Sequence, residues 1–188
     1  MKMKLLLILL MTITLIPSVV LAQQGRYVSL SEFLDKTFPS DESHVEESKP
    51  YKTSTLWLKE GQKQVIKDIL GHDYVGFRIR YWNDDQRTAW ILEEVGKEHP
   101  ITMGVVVEDQ KIADFSILEF RESRGWEIKY DFFTQQFSGL AIKTNKKNKI
   151  ELSKPIDGIT GATLSVRATK KIAKLALYLD QQIAAMSL

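Results

Sequence analysis

From Leu164 to Ile183 the apolar residues Leu164, Ala168, Ile172, Leu175, Ala176, Leu179 and Ile183 fall on one stripe at helical spacing. Arg167, Lys170, Lys171 and Lys174 lie largely off that stripe. A long helix with one apolar face must bury it against a second layer. The segments before it supply that layer. Tyr74 to Trp82 alternates Val75, Phe77, Ile79 and Tyr81 with polar residues and reads as a strand. Arg87 to Val95, Ile101 to Glu108 and Lys111 to Arg121 read as three more. Asp109-Gln110 is the tight turn that makes the last two a hairpin. The predicted fold class is α+β: a twisted antiparallel sheet with helices packed on it, closed by the long C-terminal helix.

Shorter elements complete the pattern. Ser29-Leu30-Ser31-Glu32 has the form of a capping box and opens a helix that stops near Pro39. Ser40 to Lys52 is polar and acidic and reads as a loop. Leu56 to Leu70 carries Leu58, Val65, Ile66, Ile69 and Leu70 at helical spacing, with Gly71 as its stop. Trp126 to Phe137 predicts a short helix ended by Gly139, and Ile150 to Ile156 an extended segment. The basic run from Lys143 to Lys149 reads as a solvated loop. Trp57, Trp82, Trp90, Phe120 and Phe137 read as packing residues.

Composition narrows the function. A formal charge of +2, with Lys and Arg spread along the chain, gives no electrostatic case for nucleic acid. The chain has no cysteine, which excludes disulfides and thiolate metal sites. His44, His72 and His99 share no ligand spacing, so no metal is expected. Neither a G-x-S-x-G elbow nor an H-E-x-x-H pair occurs. The N-terminus has three parts: basic Met1 to Lys4, a mostly apolar run from Leu5 to Val20, and small residues ending at Ala22. That is the layout of a secretory signal peptide. The expectation is a signal peptide over 1–22, N-terminal helices and strands over 23–99, and a further domain over 100–188. The mature protein would be periplasmic or otherwise extracytoplasmic after cleavage near Ala22; the alternative is an uncleaved anchor.

The stretch Asp157-Gly158-Ile159-Thr160-Gly161-Ala162-Thr163 leads straight into the long helix. Local physics allows two readings. Thr160 or Thr163 caps the helix, or the free N–H groups at its start hold an anion such as phosphate. In the first reading the protein is a non-redox exported binding module.

These residues resemble the flavinylation motif of the FMN-binding domain family, in which Asp-x-x-Ser/Thr-Gly-Ala-Thr precedes the final helix. That family includes flavin-bearing subunits of the sodium-pumping NADH:quinone oxidoreductase and of the Rnf complex. Asp157, Thr160, Gly161, Ala162 and Thr163 stand at the fixed positions. The resemblance extends over roughly Pro100 to Ile183. Gly104 to Phe120 is similar to the family's hairpin, and Glu122, Ser123 and Gly125 match the loop after it by type. Arg124 and Glu127 depart from that loop's usual proline and glycine. Gln136-Phe137-Ser138-Gly139 is similar to the family's Gln-Phe-x-Gly run.

The resemblance implies FMN esterified through its phosphate to Thr163 by a flavin transferase that uses FAD, making the chain a phosphoprotein in composition. It further implies that Gly158, Ile159 and the rest of the motif contact the cofactor, with Glu122, Ser123, Gly125 and Trp126 from the loop. Trp126 either stacks on the flavin or packs in the core. Glu122 bonds either flavin or a backbone amide, and Asp157 braces the motif loop. The implied role is an extracytoplasmic electron carrier with redox protein partners and a membrane-bound electron donor as a further candidate. The alternative is a flavin-dependent reductase of a small molecule.

Overall fold

The computed structural model describes residues 28–40 and 49–186. The expected signal peptide, His44 and most of the acidic loop lie outside the described residues. Helix α1 (Leu30–Thr37) is followed by β1 (Lys52–Trp57), α2 (Glu60–Leu70), β2 (Arg78–Asn83) and β3 (Arg87–Val95). Then come β4 (Pro100–Glu108), β5 (Lys111–Phe120), the short α3 (Asp131–Thr134), β6 (Ile142–Thr144), β7 (Ile150–Leu152) and α4 (Thr163–Ala184). Strands β1 to β5 form one antiparallel sheet in chain order, and β6 pairs with β7. The class is α+β, as expected.

The best-defined elements form for the reasons the sequence suggests. Ser29 caps α1, its hydroxyl accepting from the Glu32 N–H at 3.1 Å. Asp109 and Gln110 both sit at positive φ, 49° and 62°, the two-residue turn geometry that matches strand twist. Helix α4 buries Ala168, Ile172, Leu175, Ala176 and Leu179 in a core shared with Trp90, Met103, Val105 and Phe115 of the sheet. The opposite face of the sheet carries a smaller core, where Phe33, Leu34 and Phe38 cover Trp82, Ala89, Val106 and Leu118.

Polar ties fix α4 in register. The Asp180 carboxylate accepts from the Thr88 hydroxyl and from Gln110 Nε2, each at 2.6 Å. Glu94, buried on β3, accepts from Lys171 Nζ at 2.7 Å and contacts His72 Nε2 at 2.9 Å. A buried carboxylate held by such donors is far cheaper than a bare one.

Several expectations are corrected. Leu56 belongs to β1, not to a helix. Thr53 and Thr55 favour extended backbone, and Leu56 pairs with Ile79 of β2. The helix begins only at Glu60, where Gln62 Oε1 accepts from the Lys59 N–H at 2.8 Å. Tyr74 to Phe77 is not strand. The β1 ladder ends at Trp57 opposite Arg78, so earlier residues have almost nothing to pair with. Val75 and Phe77 are exposed. Trp57 is also exposed rather than packed, at 64%.

The expected helix from Trp126 to Phe137 is three short turns, broken where Tyr130 adopts an extended backbone (φ −82°, ψ 150°). The basic run is not a plain loop. Asn145 Oδ1 accepts from the Lys147 and Lys149 N–H groups and folds it into the β6–β7 hairpin.

Candidate functional site

Helix α4 begins abruptly. Its N-cap is Ala162, which has no side chain able to cap, and its first helical bond runs from the Val166 N–H to the Ala162 carbonyl at 2.9 Å. The N–H groups of Thr163, Leu164 and Ser165 therefore have no intrahelical acceptor. The expectation that Thr160 or Thr163 caps the helix is overturned. Thr163 is the first helical residue, exposed, and its hydroxyl has no hydrogen-bond partner among the described residues. The turn before it depends on Gly161 at φ +82°.

The loop after β5 packs directly on this helix start. A cleft of about 560 Å³ is lined by Lys97, Glu122, Ser123 and Arg124 on one side and by residues 161–165 on the other. Gly125 makes the approach close. It has φ +85°, and a Cβ there would meet Ala162 Cβ at 3.0 Å and Ser165 Oγ at 3.2 Å. The structure thus brings the motif and the second predicted segment together, although Gly125 and Trp126 lie beside the cleft rather than in its lining. A larger cleft of about 850 Å³, around His72 and Arg78, holds none of the motif residues.

Each predicted residue has a definite place. Glu122 is structural in its contacts: its Oε1 accepts from the N–H groups of Lys97, Glu98 and His99 at 2.5, 2.8 and 3.1 Å. Burial alone would raise its pKa. The three N–H donors and the nearby His99 outweigh it and hold the carboxyl below the ordinary range. Trp126 is 46% exposed and meets Tyr130 edge-on at 5.2 Å, so it is not a core tryptophan. Tyr130, Phe132 and Leu164 are also exposed. The side chain of Asp157 braces nothing among the described residues; its backbone N–H instead donates to Gln136 Oε1 at 2.8 Å. Gly158 and Thr160 are exposed and Ile159 is half-buried against the core.

Sequence reasoning missed Lys97, Leu164 and Ser165. Nothing in spacing marks Lys97, because it reaches the cleft only through the β3–β4 turn that Glu122 organises. Leu164 was read as part of the buried stripe but is 42% exposed at the cleft. Ser165 had a legible signal: it lies two residues past the motif threonine in the helix's first turn.

Chemically, the open start of a long helix suits an anion, with Arg124 beside it and Lys97, whose Nζ pairs with Glu98 at 2.8 Å. The uncapped amides suit a phosphate group, as do the Thr163 hydroxyl and the Arg124 guanidinium, neither of which has a partner among the described residues. Residues 96–178 match the model of the FMN-binding domain family, a span that holds every residue of this cleft. That match assigns residues 96–178 to the FMN-binding domain family and suggests a flavin-binding protein. No curated protein and no solved structure matches the chain.

Proposed function

We propose that the protein is an exported flavoprotein that carries FMN as a phosphoester on Thr163 and serves as an extracytoplasmic electron carrier. One observation carries this reading. The motif threonine stands at the first position of α4 with an exposed, unbonded hydroxyl, where a capping threonine would have spent it on the backbone. In this reading Thr163 Oγ bonds to the flavin-side phosphorus of FAD as the P–O–P bond breaks, so the whole FMN unit is transferred with release of AMP and the hydroxyl proton, on a flavin transferase. The first-turn amides, Lys97 and Arg124 balance the phosphate charge. Trp126, Tyr130 and Phe132 offer an exposed aromatic edge beside the cleft. Bound flavin supplies two-electron uptake and one-electron release.

Tethering suits an exported protein, since a diffusible cofactor would be lost outside the cell. The signal-peptide layout supports export, and the exposed site supports exchange with redox proteins, a membrane-bound donor among them. The test is intact mass of the mature protein, produced with and without a matched flavin transferase, beside Thr163→Val. The expected result is a gain of FMN minus one water, present only with the transferase and absent from the variant. A folded, colourless protein with no gain overturns the proposal. A mature chain beginning at Gln23 would establish export.

A further inference from the structure

We propose that the cleft between α4 and the Ser153–Ile156 segment is a second anion site, shaped for a compact phosphate-class ligand. This cleft has a volume of about 370 Å³ and is distinct from the one at Thr163. Lys143, Lys154, Lys170 and Lys174 line it, with Glu151 as the only carboxylate among the described residues of the lining. Leu152, Pro155 and Ile156 supply apolar walls.

Two of these lysines bond to backbone carbonyls of the segment, Lys170 from a half-buried position and Lys143 from an exposed one. Lys170 Nζ donates to the Ile156 carbonyl at 2.7 Å, and Lys143 Nζ donates to the Ser153 carbonyl at 3.3 Å. An ammonium has three donors, so each keeps two for a ligand. Lys174 follows Lys170 by one turn of α4, is half-buried, and makes no ion pair among the described residues. Burial, and then the charge of Lys171, lower its pKa against the opposing pull of Glu151. Glu151 is itself engaged, accepting from Asn145 Nδ2 at 2.6 Å.

An unpaired, half-buried ammonium beside other cations is costly. An anion seated among the lysines removes that cost. Lysines act as point charges from several directions, which suits a tetrahedral oxyanion better than a planar carboxylate. The ligand chemistry is therefore a phosphate, either free or at the end of a nucleotide. Its seat has a structural consequence. Ile156 directly precedes Asp157, so an ion tying Ser153–Ile156 to α4 also steadies the entrance to the motif loop.

The experiment uses the mature chain, titrated at low salt with inorganic phosphate, pyrophosphate and ADP and followed by calorimetry and backbone amide spectra. Saturable binding is expected, with shifts at 153–157 and 170–174. Lys174→Gln should weaken it by about tenfold or more, as should the exposed-site variant Lys143→Gln to a smaller degree. Lys36→Gln, far along the chain on α1, should leave it unchanged. Tightest binding by ADP would assign a nucleotide, and by phosphate or pyrophosphate a free ion. The proposal is overturned by absence of saturable binding, by insensitivity to Lys174→Gln, or by shifts confined to 161–165. Binding to anionic lipid vesicles without binding to phosphate also overturns it. None of these outcomes depends on flavin attachment at Thr163.

Discussion

The two ends of α4 differ in what they leave unsatisfied. From Ala168 onward the sheet-facing side of the helix is saturated: Ile172, Ala173, Ala176 and Leu179 are buried without remainder, and Asp180 is held by two donors. At the first turn nothing is finished. Ala162 cannot cap, Thr163 bonds to nothing described, and Leu164 stands half out of the protein. One helix thus acts as anchor at one end and as open platform at the other. A rigid element with an unfilled terminus is the arrangement that holds a ligand without moving to meet it.

The contrast is tested most severely in the buried half. Ile172→Ala removes a fully buried side chain between α4 and the sheet and should cost about 2–5 kcal/mol in urea unfolding. Leu164→Ala should cost less than about 0.5 kcal/mol. Equal losses would abolish the distinction between the two ends.

Asp180 comes next. Asp180→Ala strands Thr88 and Gln110 and should cost about 1–3 kcal/mol. Asp180→Asn keeps an acceptor and separates charge from hydrogen bonding. Burial raises the Asp180 carboxyl above the ordinary range, against the Thr88 hydroxyl, which lowers it. An acid with a raised folded pKa favours the folded state most at low pH. That contribution falls as pH rises from about 3.9, the unfolded value, through the folded one. Urea midpoints measured across this window should drop in the wild type through this group and not through it in Asp180→Asn.

At the open end, Gly125→Ala forces a Cβ at φ +85° against Ala162 and should destabilise by about 1–2 kcal/mol. Because the strain falls on the helix start, flavin loading should suffer along with stability. A variant that loads normally would mean that the loop and the helix start are independent.

The same division decides what the sequence could tell. The β4–β5 hairpin and α4 were legible because periodicity and turn chemistry agree there. The motif was legible as residues, but not as geometry. Ala162 is among the poorest choices of N-cap by propensity, and the packing of Gly125 against it accounts for that position. Strand β1 was hidden because the helical spacing of Leu58, Val65, Ile66 and Ile69 just after it drew Leu56 into the expected helix, whereas pairing with β2 places Leu56 in a strand. Lys97 was hidden because it reaches the cleft through the β3–β4 turn that Glu122 holds, a contact across 25 residues of sequence.

His72 gives a smaller effect on the saturated side. Its pKa is raised chiefly by the hydrogen bond to Glu94, then by the Asp73 carbonyl. A base with a raised folded pKa contributes its stability in full below about 6.5, and loses it as pH rises through the folded value. The ring is half-exposed, so less than about 1 kcal/mol is at stake. His72→Ala should flatten the wild-type decline above neutral pH; an unchanged slope would mean that Lys171 alone satisfies Glu94.

The smallest change in stability belongs to the most consequential residue. Thr163→Val replaces an exposed hydroxyl that bonds to nothing described, so unfolding free energy should move by less than about 0.5 kcal/mol. The same substitution should abolish the mass gain from the transferase. A stability loss of 1 kcal/mol or more, on the order of a lost cap, would mean that the hydroxyl does serve the helix, and the platform would then be an ordinary helix start. Loss of loading with stability intact separates the two ends of α4 cleanly: one carries the fold, and the other carries a reactive oxygen the fold does not use.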